Sequence, residues 1–449
     1  MAIEVHRGEG AAAGAAFDPS PAYRAYVLFV LFLGYIFNVI DRGVINVLTE
    51  SIRHEFSLSD KELGLLGGLS FAVFYSFIGI FLAMWADRTV RRNVLAVCIA
   101  LWSAMTALCG AAVGFWTLAA ARAGTAIGEA GGSPPSHSLI SDYFRSDQRA
   151  TALSIYALGV PVGGMLGNFL GGWSNEFFGW RATFVMVGLP GLLVALLVWL
   201  TVKEPPRGFS DRSSASAAQQ SAPPLFEALR FLWSYHAFRH MCLAAALHSV
   251  VWYAGSALNG SFLARSHGMK SGEFGTWLAF FQIVGAIGSF LGGFLSDRMS
   301  RRYGDRRWYM WVPGIATLAM VPFQFTGYLS PNLWMMAGSF CIIFIFGAMF
   351  FGPSFAVTQG LATLRTRAVA TSILLFVQTL IGLGIGPFLA GAISDWLRPE
   401  LGEQSLRYAL VIVGLANIWA AGHYFWGART IRANWATTER LNAAGAAAM

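Results

Sequence analysis

The sequence predicts an all-α polytopic membrane protein with twelve transmembrane helices. Of its 449 residues, 56% are hydrophobic and 12% are charged, whereas soluble domains carry about 25% charged residues. The apolar residues fall into twelve windows, each close to the ~20 residues that one spanning helix requires. No stretch alternates in the way that a membrane strand does. These observations exclude an ordinary soluble enzyme and a domain held by a single span.

The twelve windows are divided six and six by a segment rich in Pro, Ser, Ala and Gln. They lie at approximately 22–48, 60–86, 93–113, 115–140, 150–175, 181–202, 238–263, 273–296, 308–328, 332–357, 368–394 and 405–427. This pattern predicts an N-terminal six-helix bundle, a cytoplasmic linker, a C-terminal six-helix bundle and two tails. Their bounds are 21–202 for the first bundle, 203–237 for the linker, 238–428 for the second bundle, and 1–20 and 429–449 for the tails.

The regions outside the bundles carry their own signals. Residues 1–20 are Ala- and Gly-rich with no long apolar run, which favours a disordered tail over a cleaved signal peptide. Residues 225–237, LFEALRFLWSYHA, mix large apolar groups with Arg230 and His236. That mixture predicts a short helix lying on the membrane surface.

The net charge of +8 comes mainly from arginines in both tails and in alternate connections, such as residues 87–92 and 297–307. The positive-inside rule therefore places both termini in the cytoplasm. Because this charge sets orientation and faces lipid headgroups, we expect no nucleic-acid partner. The Ala-rich, Lys-poor composition indicates a bacterium with a GC-rich genome, and so a bacterial inner membrane.

The two halves repeat each other. Residues 83–92 read AMWADRTVRR and residues 293–302 read GFLSDRMSRR, and the openings of windows 5 and 11 share an Arg-Ala-x-Ala-x-Ser-Ile pattern from Arg149 and Arg367. Parallel repeats of this kind are typical of secondary transporters. The second loop copy matches the Gly-x-x-x-Asp-Arg-x-x-Arg-Arg motif of the major facilitator superfamily, which the chain resembles; the first has Ala83 in place of the glycine.

The resemblance implies two six-helix bundles around a central cavity and a loop motif that helps to latch the cytoplasmic side. Carboxylates are favourable at helix N-termini, so Asp87 is expected to cap span 11 near Thr366 or Arg367, and Asp297 to cap span 5 near Arg149. Both contacts would form only when the halves close at that side. The alternative is that these charges only set topology and solvate a loop. The candidate gating residues are Asp87, Arg88, Arg91, Arg92, Asp142, Arg149, Asp297, Arg298, Arg301, Arg302 and Arg367.

Four charged residues lie inside spans, where a charge costs a few kcal/mol. Asp41 and Arg42 are adjacent in span 1, and Arg122 and Glu129 lie in span 4. At a rise of about 1.5 Å per residue, Asp41 and Arg122 reach the same depth, which predicts an Asp41–Arg122 pair and an Arg42 that reaches towards Glu129. The set is either a static ion-pair knot or a proton-coupling site, since burial favours a neutral carboxyl and a guanidinium favours an ionised one.

A second resemblance is narrower. The Asn38-x-x-Asp41-Arg42 pattern and the run 128–172 are similar to the Spinster family of lipid transporters, which is associated with lysophospholipids and sphingosine phosphates. The matching positions are Asp41-Arg42, Arg122, Gly128-Glu129-Ala130, Ser141-Asp142-x-Phe144, Arg149 and Pro161-x-Gly163. The resemblance implies proton-responsive carboxylates at Asp41 and Glu129, with Arg42 and Arg122 as charged partners or headgroup ligands.

Spans 7, 8, 10 and 11 contain no Asp, Glu, Lys or Arg in their apolar cores and are rich in aromatic residues. This contrast suits an amphiphile whose headgroup faces the first half and whose tail faces the second. A lone histidine such as His248 is nonetheless more often a hydrogen-bonded packing residue. The candidate cavity residues are Asn38, His248, Trp252, Tyr253, Gln282 and Gln378.

The function expected is proton-coupled transport of lysolipid or sphingolipid-like amphiphiles by alternating access. Alternatives are a symporter of small organic anions, a drug-efflux carrier and a non-transporting lipid sensor. An enzyme is not expected, because no metal-spaced cluster, Gly-x-Ser-x-Gly or phosphate loop is present. The four scattered cysteines indicate packing, so no cofactor, metal or disulfide is expected. The partners expected are substrate, protons and membrane lipids, for a monomer.

Overall fold

The computed structural model describes residue 17 and residues 19–207, 209–211, 225–363 and 365–447. The prediction for the tail at 1–20 falls mostly outside these ranges, and the prediction for the linker falls partly outside them. The N-terminal half holds helices α1 Pro21–Phe56, α2 Asp60–Gly64, α3 Ser70–Arg88, α4 Arg91–Cys109, α5 Phe115–Ala130, α6 Ser133–Tyr143, α7 Ser146–Ala157 and α8 Gly159–Thr201.

The C-terminal half is also helical. It holds α9 Leu225–Ser234, α10 His236–His267, α11 Ser271–Tyr303, α12 Trp308–Leu329, α13 Leu333–Ala348, α14 Phe351–Gly360, α15 Arg367–Val377, α16 Gly384–Leu401, α17 Ser405–Gly414, α18 Ala416–Ala428 and α19 Ile431–Ala447. Short π-helical turns at Leu65–Leu69 and Gln378–Leu383 connect α2 to α3 and α15 to α16.

Eight stretches of the described residues are long and apolar enough to cross a membrane. Two of them, Asp147–Thr201 and Arg367–Ala428, are 55 and 62 residues long, which is enough for two crossings each. The predicted windows 115–140 and 308–328 are not among the eight. In the first case α5 and α6, of 16 and 11 residues, are each shorter than one span because the chain turns between them. The total of twelve spans therefore stays a prediction.

The long helix α8 is interrupted at Gly179, where φ is +79° and ψ is 165°. No side chain lies within 4 Å of that position, so backbone conformation and not space makes glycine the suitable residue. The break separates two helical segments at the boundary that the sequence predicts between the windows 150–175 and 181–202. α1 begins more conventionally, with Pro21 in its first turn and the Ser20 hydroxyl accepting a hydrogen bond from the Tyr23 amide at 3.3 Å.

The two halves approach closely along two seams. At the seam between α2 and α16, a Cβ added to Gly64 would lie 2.2 Å from the Pro387 carbonyl oxygen, and one added to Gly391 would lie 2.1 Å from the Asp60 carbonyl oxygen. At the seam between α8 and α11, a Cβ on Gly172 would lie 2.4 Å from the Ser271 carbonyl oxygen. Glycine permits these backbone contacts between helices.

Two helices lie outside the apolar bundle. The helix predicted within 225–237 is present as α9, where Phe226 is 76% exposed and Trp233 is 41% exposed; its position on a membrane surface stays a prediction. The predicted C-terminal tail contains α19, whose Thr438 hydroxyl donates to the Leu361 carbonyl at 3.1 Å. The Trp435 ring packs on Gly360, so α19 is docked against the C-terminal half.

Candidate functional site

The buried charges predicted in the N-terminal half lie together, and we call Asp41, Arg42, Arg122 and Glu129 the central charge cluster. Arg42 Nε donates to Glu129 Oε2 at 2.7 Å, as the spacing predicted. The Glu129 side chain is fully buried, whereas that of Arg42 is 33% exposed. A second donor of Arg42, Nη2, lies 3.3 Å from Asn38 Oδ1. Arg42 thus connects a sealed carboxylate with space that remains open.

The predicted side-chain pair between Asp41 and Arg122 is not formed. Arg122 instead donates from Nη1 to the Asp41 carbonyl at 3.2 Å and from Nη2 to the Arg42 carbonyl at 3.4 Å. Helical rise gave the common depth correctly, but it does not give the direction of a side chain around the helix axis. Neither buried carboxylate oxygen of Asp41 makes a well-aligned hydrogen bond in the described chain, and the Thr106 hydroxyl is the polar side chain that lies beside it.

Aromatic rings of α3 complete the cluster and were missed by the sequence analysis. The Arg42 guanidinium lies over the ring of Tyr75 at 4.8 Å and over that of Phe71 at 5.2 Å. The Arg122 guanidinium also lies over the Phe71 ring, 5.3 Å from its centroid. Because cation–π attraction is strongest away from water, these rings stabilise both guanidinium groups where few carboxylates are available.

The cluster contains more buried polar atoms than it satisfies. Glu129 Oε1 and Arg122 Nε, like the Asp41 carboxylate, have no partner within the described ranges. Unpartnered buried groups are costly, by about 1–3 kcal/mol each. Arg42 and the two carboxyls can therefore exchange partners, or take up a proton or a ligand, without first losing a complete hydrogen-bond network.

A cavity lies in the C-terminal half, among α10, α11, α12 and α13. Trp252 and Gln282, both predicted as cavity residues, line it. The lining also includes Asn259, Gln324 and Tyr328, so the wall expected to be aromatic and to hold an apolar tail carries carboxamides and a phenol. Apolar side chains share the lining with these groups, so the expectation that an apolar tail lies here stays a prediction. Helix periodicity did not show which of these residues share one face.

The other cavity candidates lie elsewhere. His248 is fully buried, with Nδ1 at 3.0 Å from Asn417 Oδ1 and Nε2 at 2.9 Å from the Gly347 carbonyl oxygen, which is a packing position. Tyr253 packs with the cluster that includes Phe71 and Leu383, between the halves. Gln378 opens the second π-helical turn, where its buried Nε2 has no partner in the described chain.

The predicted gating residues lie at one end of the molecule, which we call the arginine-rich end. Arg91 is buried there, and it binds Glu204 at 2.7 Å, Asp142 at 2.5 Å and the Pro205 carbonyl at 2.9 Å. The Arg92 amide also donates to Glu204, at 3.0 Å. These contacts fasten the start of the linker to the N-terminal half, and the partners that Arg91 and Arg92 have among the described residues all lie in that half or in the linker.

Contacts across the halves are likewise not made by the two loop aspartates. Asp297 accepts a hydrogen bond at 2.6 Å from Tyr309 of its own half, and Asp87 has no hydrogen-bond partner in the part of the chain described. Arg149 donates to the Ser141 carbonyl at 2.9 Å and to Ser210 at 2.8 Å. The remaining gating candidates have exposed side chains, namely Arg88, Arg298, Arg301, Arg302 and Arg367. Their gating role stays a prediction for a different conformation.

The opposite, arginine-poor end holds an ion network that the sequence analysis missed, and we call Glu50, Arg53, Asp60, Arg265 and Glu403 the arginine-poor latch. Arg265 of the C-terminal half binds Glu50 at 2.9 Å and Asp60 at 2.8 Å. Arg53 of the N-terminal half binds Glu403 at 3.0 Å. The side chains of Arg265 and Asp60 are 4% and 0% exposed, so the halves are joined here by desolvated charge pairs.

Capping contacts extend this junction. The Asp395 carboxylate accepts hydrogen bonds at 2.9 Å from the amides of both Asp60 and Lys61 at the start of α2. The Ser394 hydroxyl donates to Asp60 at 2.6 Å. A carboxylate at a helix N-terminus is the favourable arrangement that the sequence analysis expected for the loop aspartates. It is found instead at the other end, from a residue outside the repeated motif.

Comparison with known proteins places this geometry in a family. A family model described as Major Facilitator Superfamily matches residues 31–301 and 241–441. A crystal structure of a bacterial homologue of the human lysosomal transporter Spinster, in an inward-facing and unoccupied conformation, is 34% identical. It covers 92% of this chain and 99% of its own, with a TM-score of 0.84.

Two curated relatives extend the comparison. An MFS-type efflux pump of Mycolicibacterium smegmatis is 30% identical, over 87% of this chain and 89% of its own length. A hexuronate transporter of Bacillus subtilis is 24% identical, over 82% of this chain and 87% of its own length. With these matches and the all-helical fold, the chain belongs to the major facilitator superfamily of membrane transporters, and within that family it is similar to Spinster proteins.

Proposed function

We propose that this protein is a proton-coupled secondary transporter of lysolipid or sphingolipid-like amphiphiles, in which Asp41 and Glu129 are the proton-responsive carboxylates. The observation that carries the proposal is the contrast inside the central charge cluster. Glu129 is paired with Arg42 at 2.7 Å, whereas the buried Asp41 carboxylate has no ion pair with a side-chain cation in the described chain and lies beside the Thr106 hydroxyl. Of the two carboxyl groups in the cluster, only that of Glu129 is thus hydrogen-bonded to a guanidinium in the described chain.

This contrast supplies a coupling mechanism. Burial favours the protonated form of a carboxyl, and a guanidinium partner favours its ionised form. If Arg42 leaves Glu129 for an anionic headgroup, Glu129 takes up a proton as it loses its partner. The partly exposed side chain of Arg42 can reach such a headgroup. Substrate binding and proton binding are then linked through one arginine.

The conformation fits alternating access. The arginine-poor latch and the two glycine seams close one end of the molecule. If the chain has the twelve spans that its apolar windows predict, and both termini are cytoplasmic as the arginine distribution predicts, the closed end is the outer one. The protein is then inward-facing, the conformation described for the similar Spinster homologue.

A second candidate function is symport of small organic anions. It is favoured by the partly exposed Arg42 side chain, which can bind a carboxylate, and by the similarity to a hexuronate transporter. In that case the substrate has no acyl chain, and the protein needs no apolar surface to bind one.

The experiment is uptake into liposomes that contain the purified protein. Radiolabelled lysophosphatidylethanolamine and radiolabelled glucuronate are compared with and without an imposed pH gradient. Gradient-dependent movement of the lysolipid alone supports the proposal. Saturable glucuronate uptake without lipid movement supports the second candidate, and lysolipid binding without movement of either compound indicates a lipid sensor.

Two variants test the coupling residues in the same vesicles. Asp41→Asn and Glu129→Gln keep the size of each side chain but cannot ionise, so we expect transport that no longer follows the pH gradient. Glu227→Gln, on the exposed face of α9, is the matched control and should behave as the wild type. If both cluster variants keep the normal response to pH, the proton role of Asp41 and Glu129 is wrong.

A further inference from the structure

The cavity of the C-terminal half is chemically distinct from the central charge cluster. It is bounded by α10, α11, α12 and α13, with Asn168 of α8 at its edge, and its volume is about 80 Å³. One water requires ~10–15 Å³ by the same measure, so the cavity has room for roughly six water-sized groups. We call it the carboxamide cavity after its lining.

The lining is uncharged and combines polar with apolar side chains. It includes four carboxamides, which are those of Asn168, Asn259, Gln282 and Gln324, together with the hydroxyls of Ser256 and Tyr328. No Asp, Glu, Lys, Arg or His is among the described residues that line it. Every carboxamide offers both a donor and an acceptor. The cavity is therefore complementary to groups that donate and accept at once, as hydroxyls do.

Two of the amide nitrogens are left available by the contacts that hold these side chains. Tyr328 donates to Asn259 Oδ1 at 2.9 Å, and Asn417 Nδ2 donates to Gln324 Oε1 at 3.3 Å. Both bonds use the carbonyl oxygen of the lining amide. Within the described chain neither Asn259 Nδ2 nor Gln324 Nε2 has a protein partner, and neither is among the fully sealed polar atoms.

The donors are held in fixed positions from behind. Gln324 is 3% exposed and is bonded to Asn417, which is bonded in turn to the fully buried His248. His248 also contacts the Gly347 carbonyl oxygen at 2.9 Å. On the other side of the cavity a Cβ on Gly164 would lie 2.8 Å from Gln282 Nε2, so a glycine makes room for that amide. Buried networks of this kind position the groups they hold.

Aromatic rings complete the cavity wall. Trp252 and Phe344 both line it, with their ring centroids 5.4 Å apart. The face of a polyol that carries C–H bonds can pack on such rings while its hydroxyls bond to the amides. An acyl chain in the same place would leave amide groups without partners, at about 1–3 kcal/mol each. The lining thus favours a hydroxylated group over a hydrocarbon.

We propose that the carboxamide cavity binds an uncharged polyhydroxyl group of the transported molecule. That group is either the polyol headgroup of a lysolipid or the hydroxylated part of a sugar acid. The proposal rests on the proposed transport function and deepens it, because it assigns the substrate class through the C-terminal half. Charge is recognised in the N-terminal half and hydroxyl groups in the C-terminal half.

The test is a binding measurement on the protein in phosphatidylcholine nanodiscs, which contain no sugar-based detergent. The probes are lysophosphatidylglycerol, lysophosphatidic acid of the same acyl chain, and glucuronate. At pH 5, below the second phosphate pKa of about 6, the first two carry the same charge and differ by the glycerol headgroup. Two additional hydrogen bonds should then make the glycerol lipid bind about tenfold tighter. If the natural source is a sugar acid instead, glucuronate binds and the two lipids do not differ.

The variant is Gln282→Leu, because Gln282 is half-buried and makes no hydrogen bond within the described ranges whose loss would unfold the protein. We expect it to abolish the preference for the glycerol lipid, or to weaken glucuronate binding about tenfold, with lysophosphatidic acid unaffected. Gln359→Leu, exposed on α14, is the matched control. Asn259→Leu is the second variant and should have the same effect as Gln282→Leu.

The proposal is overturned by equal binding of the two lipids together with no binding of glucuronate, which would leave only water in the cavity. It is also overturned if neither cavity variant changes the preference. Failure of the transport proposal is a separate result. In that case proton-driven flux is absent from the vesicles whether or not the glycerol headgroup is preferred in nanodiscs.

Discussion

At the scale of single residues, Arg42 determines the character of the candidate site. It pairs with the sealed Glu129 carboxylate, donates to Asn38 and lies over the ring of Tyr75. Of these contacts the one with Glu129 matters most, because Arg42 is the side-chain cation that donates a hydrogen bond to Glu129 in the described structure. Removing it leaves the buried Glu129 carboxylate without its hydrogen-bonded counter-charge.

We therefore predict that Arg42→Met lowers the free energy of unfolding by about 3 kcal/mol, the cost of leaving one member of a buried ion pair unpaired. The double variant Arg42→Met with Glu129→Gln should recover most of that loss, because the substituted Glu129 then carries no charge that needs Arg42. Denaturant or thermal unfolding in one detergent measures both. The matched control is Arg88→Met, at an exposed loop position.

The outcome that contradicts this prediction is an equal loss in the single and double variants. It would mean that Arg42 stabilises the protein through its packing on Tyr75 and Phe71 rather than through its charge.

Sequence reasoning reached part of this site. The neutral set of four charges and the Arg42–Glu129 contact follow from spacing, because charges at membrane depth need partners and helical rise gives their depth. The backbone contacts of Arg122 do not follow, since an arginine can satisfy carbonyls as well as carboxylates. Phe71 and Tyr75 were inconspicuous among 36 phenylalanines and 13 tyrosines.

At the scale of elements, α19 shows how a predicted tail becomes part of the fold. Asp305, in the connection before α12, accepts hydrogen bonds from Arg432 Nε at 2.8 Å and from Arg307 Nε at 2.9 Å. The hydrogen bonds from Arg432, and after them those from Arg307, hold the pKa of the Asp305 carboxyl well below its usual range. Asp305 thus ties the start of α19 to the loop before α12.

The sign of this effect sets its pH range. Because the pKa is depressed in the folded protein, the contact adds stability above the ordinary pKa of an aspartate. It loses that stability progressively as the pH falls from that ordinary pKa through the lower, folded-state value. The anchor of α19 is therefore fully present at neutral pH, and a change of pH in that range will not release the helix.

Asp305→Asn should release α19 at neutral pH, because the amide keeps the shape of the side chain and removes its charge. We expect amide hydrogen exchange in residues 431–447 to become at least several-fold faster than in the wild type. Glu439→Gln is the control, since the exposed pair of Glu439 with Arg306 is largely solvated. Equal exchange in all three proteins would show that Trp435 and Thr438 hold α19 without Asp305.

The same scale shows where pattern reading stops. Apolar windows located the long helices because a span has a fixed minimum length. They also placed a boundary between residues 175 and 181, where Gly179 breaks α8. They did not locate the turn between α5 and α6 or the π-helical turns, because each depends on a few backbone angles. Pattern reading also gave α19 no structure, since that helix is too polar to register as apolar.

At the scale of the whole molecule, the two ends carry charge in different ways. The arginine-rich end has many cations, most of them exposed, and their number sets orientation. The arginine-poor end has few cations, but Arg53 and Arg265 are desolvated and cross from one half to the other. Sequence counts emphasised the first end, whereas the contacts that hold this conformation lie at the second.

This asymmetry predicts that Arg265→Gln opens the arginine-poor end. The substitution leaves Glu50 and the buried Asp60 without their partner across the halves, which costs about 3 kcal/mol in the closed state. It costs nothing in a state where the latch is already parted, so the ratio of open to closed molecules should rise roughly 100-fold. Spin labels at the exposed positions His54 and Glu400, in opposite halves, should then report a longer distance. The control is Arg398→Gln, which removes a cation that pairs with Glu403 inside one half, so its distance distribution should match the wild type. If Arg265→Gln also shows the wild-type distribution, the glycine seams alone keep the halves together.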